Sequence, residues 1–111
     1  MESKVCRYRD VAAQPLGGGV TRRVLAYLPG EMMVEVGFEE GAQGAPHRHP
    51  HTQCTYVKEG EFVFTVEGRE FAVGPGDTLA FAPNEEHGCV CKRRGAVIDV
   101  FTPMREDFLK K

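Results

Sequence analysis

Glycine and proline recur along this chain at intervals too short for any long helix to fit between them. Thirteen glycines and seven prolines interrupt 111 residues. Each glycine lowers helical propensity and each proline removes a backbone donor. The stretches between them are rich in valine, phenylalanine and threonine, with the alternation of half-buried strands. Strands are expected over 20–28, 32–38, 53–58, 61–66, 69–73, 78–82, 88–92 and 96–102. Turns are expected at Pro29-Gly30, Glu59-Gly60, Glu67-Gly68, Gly74-Pro75-Gly76-Asp77 and Arg94-Gly95.

The hairpin signal is sharpest at Glu67-Gly68, which parts two runs that both favour strands. A two-residue turn with glycine at a positive φ fits there. In Gly74-Pro75-Gly76-Asp77, proline presets φ and the glycines reach conformations closed to other residues. Many short strands so evenly spaced predict an all-β sandwich or small barrel of about eight strands. Isolated hairpins would leave Phe62, Phe64, Phe71 and Phe81 in water, whereas a two-layer core buries them. Three parts are expected: an N-terminal arm over 1–19, the β domain over 20–103 and a tail over 104–111. Within the tail, acidic residues precede lysines, an order that suits one helical turn.

The charge pattern narrows the function. The formal net charge is −2 and the basic residues are scattered, whereas a nucleic-acid surface needs a basic stripe. No apolar stretch approaches the ~20 residues of a membrane span. Met1-Glu2-Ser3-Lys4-Val5 lacks the apolar run of a signal peptide, so the chain reads as cytoplasmic. The spacing Cys89-x-Cys91 is too tight for a zinc knuckle, and no second cysteine pair answers it. Cys6, Cys54, Cys89 and Cys91 are therefore expected to be reduced and packed as small apolar residues.

One constellation carries chemistry. His47 and His49 lie two apart, so on an extended strand both side chains leave the same face. Gln53 and His87 reach that face if the chain folds back on itself twice. Imidazole nitrogens bind first-row divalent metals, and a carboxamide oxygen can complete the set. Read blandly, the histidines decorate a proline-rich surface loop and Gln53 is polar filler. Their shared phase favours ligation by His47, His49, Gln53 and His87. His51 continues the alternation, but Pro50 turns the chain there, which favours a place at the rim of the site.

The pattern Gly41, His47-x-His49, Gln53, Gly60 resembles the first motif of the cupin superfamily, where a glutamate usually stands at the Gln53 position. Gly76-Asp77, then Pro83 and His87, resembles the second motif. There the proline falls one residue late, and the second glycine and terminal asparagine are missing. Within the superfamily, His47 to Gln53, the Gly60-Glu61-Phe62 turn and the ending from Ile98 to Leu109 resemble the KdgF family, small cupins of pectin degradation. The N-terminal third matches only in general character. The resemblance implies a cupin-type jelly roll holding one divalent transition metal, and nickel, zinc, iron and manganese all tolerate this ligand type. A homodimer is expected, as in small cupins, with the Gly-rich arm before Val20 and Met32-Met33-Val34 as its contact. The resemblance also implies conversion of 4,5-unsaturated uronate monosaccharides into open-chain keto forms. Asp99, Phe101 and Arg105 match the family's active-site positions.

Those residues suit that chemistry. Three neutral imidazoles and a neutral amide leave a divalent ion's charge uncompensated, which favours an anionic substrate such as a uronate. Asp99 is the lone charge in Ala96-Val97-Ile98-Asp99-Val100-Phe101. It is either a proton-transfer group facing inward or a carboxylate paired outside with an arginine such as Arg23. Arg105 either grips the substrate carboxylate or is a solvated tail residue. Phe101 would shape the pocket wall. Two rival readings remain at this level, a metal-dependent cupin dioxygenase and a non-catalytic sugar-binding cupin.

Overall fold

The computed structural model describes residues 4–110. Eight strands form one antiparallel sheet. They are β1 (Gln14–Gly17), β2 (Val20–Leu28), β3 (Glu31–Phe38), β4 (Gln43–His47), β5 (Thr52–Val66), β6 (Arg69–Val73), β7 (Thr78–Phe81) and β8 (His87–Thr102). Short 3-10 turns at Tyr8–Asp10 and Glu106–Leu109 lie outside the sheet. The second is the helical turn expected of the tail.

Two long strands make the sheet a sandwich. β5 has 15 residues and β8 has 16, and they pair along almost their whole length. The late part of β8 also pairs with β3 and the early part of β5 with β7. The early part of β8 pairs instead with β4, and the late part of β5 with β6. Both strands therefore pass from one layer into the other. The path ends on β1 and β6, so the sandwich stays open rather than closing as a barrel.

Passing between layers requires a bend, and the bend falls where the sequence reads as two turns. Gly60 lies within β5 at φ 86°, and a Cβ there would sit 2.5 Å from the Arg93 carbonyl oxygen. A Cβ on Gly95, within β8, would collide with the Glu59 carbonyl. Only glycine lets the two backbones cross so closely. Glu59-Gly60 and Arg94-Gly95 are thus irregularities inside continuous strands, not loops. The hairpin at Glu67-Gly68 is as expected, with φ of 46° and 80° at its two residues.

Two strands were not foreseen. β1 and β4 contain Pro15 and Pro46, which argue against a strand in a local reading. Among the described residues each of these strands has a neighbour on one side alone, β2 for β1 and β8 for β4, so a missing N–H is tolerated on the open side.

Phe38, Val57, Phe62, Phe64, Phe81 and Val97 fill one end of the core, and Met32, Val34 and Phe101 the other. Phe71 departs from expectation. It is 40% exposed on the edge strand β6, packed beneath the Arg69 guanidinium. All four cysteines are free thiols. Cys89 and Cys91 are buried as expected, whereas Cys6 and Cys54 are exposed, Cys54 because it alternates with the inward-facing Gln53 and Thr55. Among the described residues no helix is long and apolar enough to cross a membrane.

Candidate metal centre

Strand pairing brings the histidines together. His47 closes β4 and stands opposite His87, the first residue of β8. Their ring centroids are 4.6 Å apart, and His49 lies 5.5 Å from His47 and 5.0 Å from His87. Ligand atoms of the three rings fall within 4.8 Å of one another. β4 ends at His47, so His49 sits in the link before β5 rather than on a strand. His49 is nonetheless buried and converges on the same point.

The environment prepares these rings to bind a cation. The Nδ1 atoms of His47 and His87 lie 2.9 Å from the carbonyl oxygens of Ala45 and Glu85. A carbonyl only accepts, so each Nδ1 carries a proton, which makes Nε2 the ligand atom of the neutral ring. The His87 Nε2 is buried with no partner among the described residues, and Phe81 stacks on the His87 ring at 4.2 Å to fix its plane. Burial holds the His49 and His87 imidazoliums to a lower pKa than usual, which keeps both rings neutral. The Gln53 Oε1 lies 2.9 Å from the His49 Nε2. That spacing also suits two neighbouring ligands each about 2.1 Å from one ion. Residues and protonation states therefore fit a divalent metal. His51 lies outside the three-histidine group, 5.4 Å from His49 ring to ring.

A buried chain of hydrogen bonds leads from the histidines to Asp99. Gln53 Nε2 donates to Thr55 Oγ1 at 2.9 Å, and Thr55 Oγ1 donates to Asp99 Oδ1 at 2.7 Å. The Asp99 carboxylate needs a donor, so the Thr55 hydroxyl proton points to it and its oxygen accepts from Gln53. This order turns the Gln53 carbonyl toward His49. Thr55 was missed in the sequence, although it follows Gln53 by two residues on β5 and so shares its face. Burial pushes the Asp99 carboxyl up to about 6, against the opposing pull of Thr55, Gln53, His47 and Arg105.

One cavity of about 230 Å³ is lined by His47, Gln53, His87, Asp99, Phe101 and Arg105 together. Arg23 lies elsewhere and pairs with Glu35 at 3.9 Å, so it leaves Asp99 free of an arginine partner on that side. Arg105 lies over the Phe101 ring at 5.0 Å, and its Nε and Nη2 also donate to the Asp107 carboxylate at 3.1 and 2.9 Å. Cys89 also lines the cavity, but burial pushes its thiol up to about 12 and keeps it neutral. A larger open depression of about 470 Å³, beside Tyr8, Glu35 and Lys58, contains none of these site residues.

Known proteins share this fold. The cupin domain family model matches residues 34–101. The chain is 41% identical over 98 residues to the pectin degradation protein KdgF of Dickeya dadantii (strain 3937), covering 86% of this chain and 89% of that protein. The solved structure of KdgF from Halomonas sp. superposes with a TM-score of 0.92 at 33% identity, over 96% of this chain and 99% of that one. An RmlC-like cupin from Shewanella frigidimarina NCIMB 400 does so with the same TM-score at 36% identity, over 96% of each chain. The chain belongs to the cupin family and, within it, stands with the KdgF proteins of pectin degradation.

Proposed function

We propose that this protein is a metal-dependent enzyme that opens the ring of 4,5-unsaturated uronate monosaccharides and delivers their keto forms. One observation carries the reading: a single small cavity unites His47, Gln53 and His87 (His49 closes the ligand set behind them) with a buried carboxylate, an aromatic wall and an arginine. The cavity lies below the ~300–1,000 Å³ of sites for drug-sized ligands. That size suits one sugar ring.

The roles follow from environment. A divalent ion held by the four ligands supplies polarisation of the substrate's oxygens. Asp99, raised to about 6, accepts and returns a proton near neutral pH. It takes the proton of the anomeric hydroxyl as the C1–O bond to the ring oxygen breaks and the aldehyde forms. The ring-oxygen electrons become the C5 carbonyl, and the former C4=C5 pair takes a proton at C4 from Asp99. Substrate and product are isomers, so no oxidant is consumed. Phe101 packs against the sugar, and Arg105 draws the carboxylate into the mouth.

Proton NMR of a pectin-lyase monosaccharide fraction tests this. The vinylic H4 signal is expected to vanish at a rate set by enzyme concentration, with no oxygen uptake. A vinylic signal that decays at the spontaneous rate would falsify the assignment.

A further inference from the structure

Arg22 is the second charge that an inward face carries into this cavity. It sits on β2 between Val20 and Val24, opposite Val36 on β3, while its neighbour Arg23 faces outward to Glu35. The cavity wall around it is apolar, formed by Leu16, Val20, Val36 and Phe108. The Arg22 guanidinium lies 3.9 Å from the centre of the Phe108 ring, and its Nη2 donates to the Gln14 Oε1 at 3.0 Å. Its Nε is buried without an acceptor among the described residues. A buried N–H of a cation with no partner is costly, and an arriving acceptor removes that cost. Arg105, the other guanidinium of the cavity, already has two of its nitrogens on Asp107.

We propose that Arg22 is a specificity-determining residue for anionic sugars, its free Nε–H donating to an oxygen of the substrate at the β1–β2 side of the mouth. The inference rests on the uronate reading of the site and sharpens it. Positive charge at this point selects acidic over neutral monosaccharides, and the donor is needed for binding more than for proton transfer. Arg22 is therefore a substrate contact, not a proton-transfer group.

The test uses the metal-loaded protein with Arg22→Met, which keeps an apolar stem against Phe108, and Arg22→Lys, which keeps the charge on a different head group. Calorimetric binding of glucuronate, which lacks the 4,5 double bond and cannot react, is compared with binding of glucose. Arg22→Met is expected to weaken glucuronate about tenfold and leave glucose unchanged, with Arg22→Lys between it and the wild type. For the unsaturated uronate, KM rises by a similar factor while kcat stays within about twofold, as loss of a binding contact requires. Glucuronate affinity unchanged in Arg22→Met, or glucuronate and glucose weakened alike, overturns the proposal. So does a wild-type protein that does not distinguish the two sugars. Arg22-dependent glucuronate binding without turnover of the unsaturated sugar upholds the contact and removes the proposed reaction. Turnover with a KM indifferent to Arg22 does the reverse.

Discussion

Asp99 is ionisable, buried and bonded through a single hydroxyl, and its carboxyl is pushed up from an ordinary aspartate value to about 6. A folded-state pKa above the unfolded one favours folding when the group is protonated. The stabilisation is full below about pH 4 and is lost as pH rises through about 6. A shift of that size corresponds to about 3 kcal/mol. In protein stripped of metal, Asp99→Asn is therefore expected to be the more stable of the pair at pH 7, by up to about 3 kcal/mol. The advantage should vanish near pH 4, as read from urea unfolding at both pH values. Equal stability at pH 7 would show that burial does not strain this carboxylate. Thr55 gives the companion test. Thr55→Val leaves the Gln53 amide and the Asp99 carboxylate unpaired, at a cost of about 1–3 kcal/mol in the same assay. Thr55→Ser should restore both stability and metal affinity. Gln53 and Asp99 are legible in the sequence because strand alternation is strictly local, and the histidines because they are chemically distinct, although His49 lies off the strand. Thr55 and Arg22 obey the same alternation, at 53-55-57 and 20-22-24, and were legible in principle. Asp107 grips Arg105 from only two residues away, but the placing of that tail over the cavity mouth was not legible, because nothing local ties it there.

At the scale of elements, β5 and β8 decide the architecture, and they cross at two glycines. Gly95→Ala drives a methyl group into the Glu59 carbonyl, within continuous strand backbone on both sides. It is expected to cost about 3 kcal/mol or more in urea unfolding. Gly74→Ala, where an added Cβ meets nothing within 4 Å, should stay within about 0.5 kcal/mol of the wild type. Similar losses at both positions would mean that close strand approach is not what the Gly95 position demands. Turn chemistry at Glu67-Gly68 is readable because both residues of the turn lie together in sequence. The bends at Gly60 and Gly95 are not, because the partner that forbids a side chain lies over thirty residues away. The same non-locality hid β1 and β4, whose prolines are acceptable only because each has one open edge.

For the whole molecule, the described arm is tied to the sandwich by charge on its outer face. The Tyr8 hydroxyl donates to Glu35 at 2.5 Å and Lys58 Nζ to the same carboxylate at 2.8 Å. Burial pushes the Glu35 carboxyl up, but the bonds from Lys58 and Tyr8 outweigh it and hold it below the usual glutamate range. This contribution is present above the unfolded glutamate pKa and is lost as pH falls through the depressed folded value. It should appear as an acid-side loss of stability that Glu35→Gln removes. On the opposite side of that sheet lies the cavity, so the sandwich separates a tethering face from the face of the candidate metal site. Metal binding to the folded site alone should raise the melting temperature, and a chelator should lower it, with no change in His87→Ala.

The ultraviolet absorbance of a purified 4,5-unsaturated uronate monosaccharide reports its double bond directly. Metal-loaded wild-type protein is predicted to remove that absorbance far faster than the spontaneous decay. Asp99→Asn, folded and with the same metal content, should fall at least about a hundredfold short of it. Wild-type decay no faster than the uncatalysed sugar, or an undiminished rate in Asp99→Asn, would contradict the account.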